Sequence, residues 1–320
     1  MSIAIGGVEV PGGIAVTIDA VGCFSASRFR LVVSTGYNAA FGADYFGNAG
    51  GQRIGISLIP DGGGLVPLLS GVIDNVTLDF RNDVAVLSGR DLSALLIDTD
   101  VAETFQNQTA SQIAETIAAR HGLAAQVQPT QTMVGQYYDT DHARNVLGLN
   151  ARIGNEWGLL CQLAEAEGYE VAVWGQTLMF QPPSATVAAM LPCTGFSSLE
   201  VDVACAVPQA VQVKSWNCRQ KRAIAVSAGG AGRSATSVRP NLGADEALAM
   251  ARNQLGMAMG HGRMLVGTMP GEMVLQPGVR FGLYGTGSGF DAVYGVMAVR
   301  RMIDQAGGYQ QIVRAQAVSA

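Results

Sequence analysis

The chain has 320 residues, 48% of them hydrophobic and only 14% charged, with a mean hydropathy of +0.24 and a formal net charge of −5. No run of about 18 apolar residues occurs, which excludes a helical span and stable membrane insertion; the sparse charge points to a surface covered in a permanent assembly. Lys214 and Lys221 are the two lysines and no Lys/Arg-rich run exists, so grip on duplex DNA by a basic stripe is disfavoured.

In chain order, residues 1–105 read as strands and turns. Arg28 to Val33 and Arg53 to Pro60 alternate in polarity and end in Gly, Pro or Asp clusters. Leu69–Phe80 and Val84–Gly89 predict a hairpin turning at Arg81-Asn82-Asp83. Between the first two of these strands lies Gly36 to Gly51, rich in Gly, Ala and Asn yet carrying Tyr37, Phe41, Tyr45 and Phe46. A glycine-rich loop cannot easily bury four rings by itself. These four are therefore the candidate subunit-interface residues, expected to become ordered in the assembly, with folding back on their own core as the alternative.

From 106 to 185 the period changes. Thr109-Ala110-Ser111-Gln112 has the form of a capping box, Ile113 and Ile117 give a helical stripe, and Gly122 follows its end. A second helix starts at Asn155, runs through Trp157, Leu160, Cys161 and Ala164, and stops at Gly168. A hairpin around Gly175-Gln176 completes a small α+β unit.

From 186 to 320 strands return, with one helix. Ala210 to Trp216 pairs with Ala223 to Val226, and Gly229 to Asn241 reads as flexible. Asp245-Glu246 open a helix whose apolar stripe is Leu248, Ala251, Leu255 and Met259. Val279, Phe281 and Leu283 alternate after a turn at Gln276-Pro277-Gly278. A last hairpin, Val293–Met302 with Gln311–Val318, turns at Gly307-Gly308 and suits a barrel wall.

Reactive constellations are scarce. Cys23, Cys161, Cys193, Cys205 and Cys218 form no C-x-x-C pair and lie outside zinc-ligand spacing of any histidine, so they read as small core residues, with a later disulfide as the alternative. His121, His142 and His261 are far apart. Cys161 with His121 could pair as nucleophile and base, but Cys161 shares the apolar helix face with Leu160 and Ala164. Gly285-Thr286-Gly287-Ser288-Gly289 opens no helix and reads as a turn rather than a phosphate cradle. Glu103, Glu115, Glu165 and Glu167 read as solvated carboxylates. No catalytic, metal or cofactor site is expected.

The order of several weak motifs is more specific than any one of them. Leu69-Ser70-Gly71-Val72-Ile73, Val86 to Leu96 with Leu87-Ser88-Gly89-Arg90-Asp91, and Phe105 to Ser111 are followed by Trp157-Gly158-Leu159-Leu160 and Glu167-Gly168-Tyr169. Gly175 to Pro182, Leu275-Gln276-Pro277-Gly278 and Tyr294-Gly295-Val296 complete the series. Over about residues 70 to 320 this order resembles the bacteriophage late-control, or baseplate hub, family, similar also to the N-terminal module of type VI secretion spike proteins. Arg300-Arg301 stands where members often carry a histidine.

The resemblance implies a mainly β fold: two tube-like β-barrels, at 1–105 and 186–320, flanking an α+β insert at 106–185. It implies a homotrimer whose six barrels make a pseudo-sixfold ring joining a sixfold tail tube to a threefold central spike. The implied partners are the tail tube protein, the spike, and other baseplate or tape-measure proteins. DNA would pass through without specific binding, and the net charge of −5 per chain leads us to expect a neutral to acidic lumen. The start, Met1 to Gly6, carries no secretory signal, so assembly is expected in the host cytoplasm and the final location in the virion tail. A tail-associated wall hydrolase or peptidase using a carboxylate or Cys161 is the alternative, and a carbohydrate-binding β module a third reading.

Overall fold

The computed structural model describes residues 1–59, 63–101, 105, 107–131, 133–134, 154–218 and 220–318. Glu103 and His142 lie outside them. The chain is mainly β with an α+β insert. The first β unit, termed the first barrel although no pairing among the described strands closes it, contains β1 (Ser2–Ile5), β2 (Val8–Glu9), β3 (Gly13–Val21), β4 (Arg28–Ser34), the short helix α1 (Ala43–Gly47), β5 (Arg53–Leu58), β6 (Val66–Asp79) and β7 (Val84–Asp91). Alternation sets its core: Val16, Ile18 and Ala20 of β3 point inward, as do Phe29, Leu31 and Val33 of β4 and Ala85 and Leu87 of β7.

The insert comprises α2 (Ser93–Ile97), β8 (Gln108–Thr109), α3 (Ala110–Arg120), β9 (Ala124–Val127), β10 (Met133–Val134), α4 (Glu156–Glu167), β11 (Glu170–Trp174) and β12 (Thr177–Gln181). The capping box forms as its sequence predicts. Thr109 Oγ1 accepts from Gln112 N at 3.3 Å and Gln112 Oε1 accepts from Thr109 N at 2.9 Å. Asn155 Oδ1 caps α4 by accepting from Gly158 N at 2.8 Å, and Gly168 ends that helix in the left-handed region at φ 70°. Leu92 and Leu96 join Ile113, Ile117, Leu160 and Phe180 in the insert's core.

The last region holds β13 (Val187–Pro192), β14 (Ser198–Val203), β15 (Ala210–Asn217), β16 (Arg222–Gly229), β17 (Ser234–Val238), the helix α5 (Ala244–Gly260), β18 (Arg263–Pro270), β19 (Arg280–Tyr284), β20 (Val293–Asp304) and β21 (Gly308–Ala317). Three expectations change here. The strands Ala210–Trp216 and Ala223–Val226 do pair, but in a separate three-stranded sheet under α5, with its own core of Val211, Val213, Ile224, Met250 and Ala251. The stretch Gly229–Asn241 contains strand β17, which pairs in parallel with β15. On α5, Ala247, Met250 and Ala251 are buried while Met259 is exposed, so the buried stripe is rotated from the one the leucines suggested.

The remaining strands curl around a core of Leu265, Phe281, Tyr294, Val299 and Val313. Across the first barrel the strands run β1-β5-β6-β7-β4-β3; across the second they run β13-β19-β20-β21-β18-β14. Matched in chain order, these are one strand order occurring twice. One irregularity corresponds: β6 bulges between Ile73 and Asn75 against β7, and β20 bulges between Val296 and Ala298 against β21. One pairing differs, since β1 and β5 are antiparallel whereas β13 and β19 are parallel. The α5 layer sits in the β14–β18 connection, where the first barrel has only the short β3–β4 turn.

Candidate assembly surface

The two barrels are fused edge to edge. Strand β3 of the first pairs with the second half of β20, from Ala298 opposite Val21 to Asp304 opposite Ala15, producing one 13-stranded sheet. Arg300 crosses this joint to Asp19, with its Nε 2.5 Å and Nη2 3.2 Å from the two carboxylate oxygens. Both side chains are about half exposed, so the pair fixes register more than it adds stability. Beneath it Ile303 packs into the first barrel's core, a second-barrel side chain filling a first-barrel site.

The aromatic loop behaves differently from its sequence expectation. Phe46 is 0% exposed and belongs to the first barrel's core, while Phe41 and Tyr45 pack partly against it. Their rings meet edge to face at 4.9 Å for Phe41–Tyr45 and 5.3 Å for Tyr45–Phe46. The loop can bury rings because it is not all loop: Asn38 Oδ1 accepts from Ala40 N at 2.9 Å, and α1 then presents Phe46 inward. Phe46 is thus a core residue of its own chain, a correction to its assignment as an interface residue. Tyr37, 69% exposed, is the member of the four left facing solvent.

The reading of the five cysteines as core residues is corrected, since Cys205 and Cys218 are exposed and Cys23, Cys161 and Cys193 only partly buried. Burial pushes the Cys161 thiol up to about 12, and pushes Cys23 further, with the nearby Glu170 carboxylate adding to it. Such thiols are poor nucleophiles. His121 turns its Nε2 to Glu156, a carboxylate 1% exposed that also receives Arg120. Glu165 meets Arg239 at 3.3 Å, and Glu115 is exposed. His261 uses Nδ1 on the Met257 carbonyl at the end of α5. Gly285–Gly289 is the turn between β19 and β20, held by Asp291 accepting from Thr286 N at 2.9 Å. Among the described residues no three His, Cys, Asp or Glu side chains converge as metal ligands. A concavity of about 250 Å³ between Arg53, Ser70, Leu92 and Gln176 holds one titratable side chain, Arg53.

The surfaces that stand out are therefore sheet edges and exposed apolar side chains. Among the described residues strand β14 has β18 on one side and none on the other, and β6 beyond its bulge pairs with β7 alone. Phe80, just past the end of β6, is 76% exposed, and Val203 at the end of β14 is 47% exposed.

No protein-family model and no curated protein matches the chain. Solved structures do. A tail protein from Neisseria meningitidis is 18% identical with a TM-score of 0.75, over 98% of this chain and 95% of that one. The 43 kDa tail protein of prophage MuSo2 from Shewanella oneidensis is 16% identical with a TM-score of 0.74, over 98% and 97%. The chain has the fold of phage tail proteins. An E. coli component of the type VI secretion system, described as structurally similar to T4 bacteriophage tail proteins gp27 and gp5, is 14% identical. It covers 99% of this chain and 77% of that one at a TM-score of 0.65.

Proposed function

We propose that this chain is a structural hub of a phage tail or related injection machine: a trimeric, non-enzymatic adaptor between a sixfold tail tube and a threefold central spike. The observation that carries the reading is the repeated strand order, with two like barrels fused side by side. Three such chains would offer six comparable units to a sixfold partner. The tube and spike proteins, and other baseplate or tape-measure proteins, are its proposed neighbours in the virion, with assembly in the host cytoplasm. DNA would pass through the ring, whose lumen we expect to be neutral to acidic, since each Lys/Arg–phosphate contact adds affinity that would retard passage.

Tyr37, which is exposed, and Phe41 and Tyr45, which are partly buried, remain proposed contacts to a neighbouring protein. The decisive measurement is the mass and shape of the purified chain in solution. A ring at three times 33.3 kDa with quasi-sixfold projections in electron micrographs is expected. A persistent monomer that binds neither tube nor spike protein would overturn the reading. Turnover of peptidoglycan, abolished by one carboxylate substitution, would replace it with the hydrolase.

A further inference from the structure

The joint inside the chain predicts the joint between chains, a step that rests on the ring reading above. Matching the two barrels strand by strand through their bulges makes Ile73 the counterpart of Val296, so Val76, Thr77, Leu78 and Phe80 correspond to Val299, Arg300, Arg301 and Ile303. On the other side Leu31 matches Gly267 through their partners Leu87 and Val313. That makes Val16, Ile18, Asp19 and Ala20 of β3 correspond to Leu199, Val201, Asp202 and Val203 of β14. Strand β3 and the second half of β20 are paired within the chain; their counterparts, β14 and the second half of β6, are both open edges among the described strands, as β2 and β13 also are.

We infer that β14 of one copy pairs antiparallel with β6 of a second copy in the register of the β3–β20 joint. Val203 then lies opposite Val76, Val201 opposite Leu78, and Leu199 opposite Phe80 of the second copy. Three apolar pairs fall on the core-facing side. Phe80 explains itself in this arrangement. Its counterpart Ile303 fills the first barrel's core, and Phe80 takes the equivalent place in the second barrel's core of the neighbouring copy, beside Leu199 and Val201 that already pack there. No described strand pairs with that edge of β6. Helix α1 packs near Leu78, much as the turn at Leu275 accepts Arg301 Nη2 at 3.1 Å, and that turn leaves β20 free to pair with β3.

The interface is heterologous, each copy giving one edge and receiving the other, so it propagates around a ring rather than closing a dimer. Two pairings of charged residues distinguish it from the internal joint. Asp19 faces Arg300 inside the chain, but its counterpart Asp202 faces Thr77 of the second copy. Asp79 and Glu200 also come opposite one another, a repulsion that salt relieves.

The test reads assembly of the full chain by sedimentation over a concentration series. Phe80→Asp is expected to raise the dissociation midpoint at least about tenfold with the circular dichroism and melting of the chain unchanged, because Phe80 is already exposed in it. Thr77→Arg supplies the missing partner of Asp202 and is expected to tighten assembly up to about fivefold, the range of an exposed pair. For register, V76C with V203C in a Cys205→Ser background should give a ladder of covalent oligomers on oxidation, and V76C with V201C should not. Positions 76 and 203 lie seven strands apart in the sheet of one chain, so that bond joins copies. A wild-type ring that Phe80→Asp leaves intact and the first cysteine pair fails to cross-link overturns this joint while leaving the hub reading standing. A wild-type chain that stays monomeric overturns both. If Phe80→Asp misfolds, the cysteine pairs alone decide.

Discussion

Phe46 and Tyr37 stand nine residues apart in one Gly-rich stretch and differ entirely in what holds them. Phe46 is sealed in the barrel, so Phe46→Ala should destabilise by about 3–5 kcal/mol, read by urea unfolding. Tyr37→Ser should leave stability within about 0.5 kcal/mol, as expected of an exposed side chain. Glu170 lies on the seam where Phe24 N reaches the Val171 carbonyl at 3.1 Å. Burial raises its carboxyl above the ordinary 4.5, partly offset by a hydrogen bond from Cys23 and the charge of Arg280. A raised folded value means the native state holds the proton longer. Its contribution is therefore full below about pH 4.5 and is lost as pH rises through the raised value. Melting temperature against pH should decline over that window, and Glu170→Gln should flatten the decline; an unchanged slope would place the proton elsewhere.

At the scale of elements, β6 and β7 approach too closely for a side chain at two glycines. A Cβ on Gly89 would lie 1.9 Å from the Val72 carbonyl oxygen, and one on Gly71 would lie 2.2 Å from that of Arg90. Only glycine lets the strands meet beside the bulge. Gly89→Ala should cost about 3 kcal/mol through overpacking, seen as loss of folded yield or an early unfolding step of the first barrel. Thr109→Ala removes half of the capping box and should weaken α3 by about 1 kcal/mol, detected as faster amide exchange in its first turns. Both features were legible in the sequence to different degrees. The Thr109–Gln112 spacing announces its cap because capping is a contact between residues three apart. Gly71 and Gly89 read only as strand glycines, because their reason is a partner strand.

Across the whole molecule, the strand order repeated at opposite ends of one sheet turns an internal contact into a rule for external ones. Ile303 shows what the joint needs: an apolar side chain passed from one barrel into the next. Ile303→Asp should loosen the two barrels without unfolding either, measured as proteolysis between them before loss of β signal. The sequence by itself determined the elements whose signals are local: the α3 and α4 caps, the hairpins at Arg81–Asp83 and Gly307–Gly308, and the mainly β composition around an α+β insert. Tertiary structure alone decided which sheet each strand enters. Alternation in Ala210–Trp216 is as regular as in β20, yet one strand belongs under α5 and the other in the barrel wall, because a period of two fixes which side chains face inward but not which neighbour supplies the hydrogen bonds. The same limit hid the burial of Phe46 and the openness of Phe80, since whether an aromatic finds a core depends on strands that lie far away in the chain.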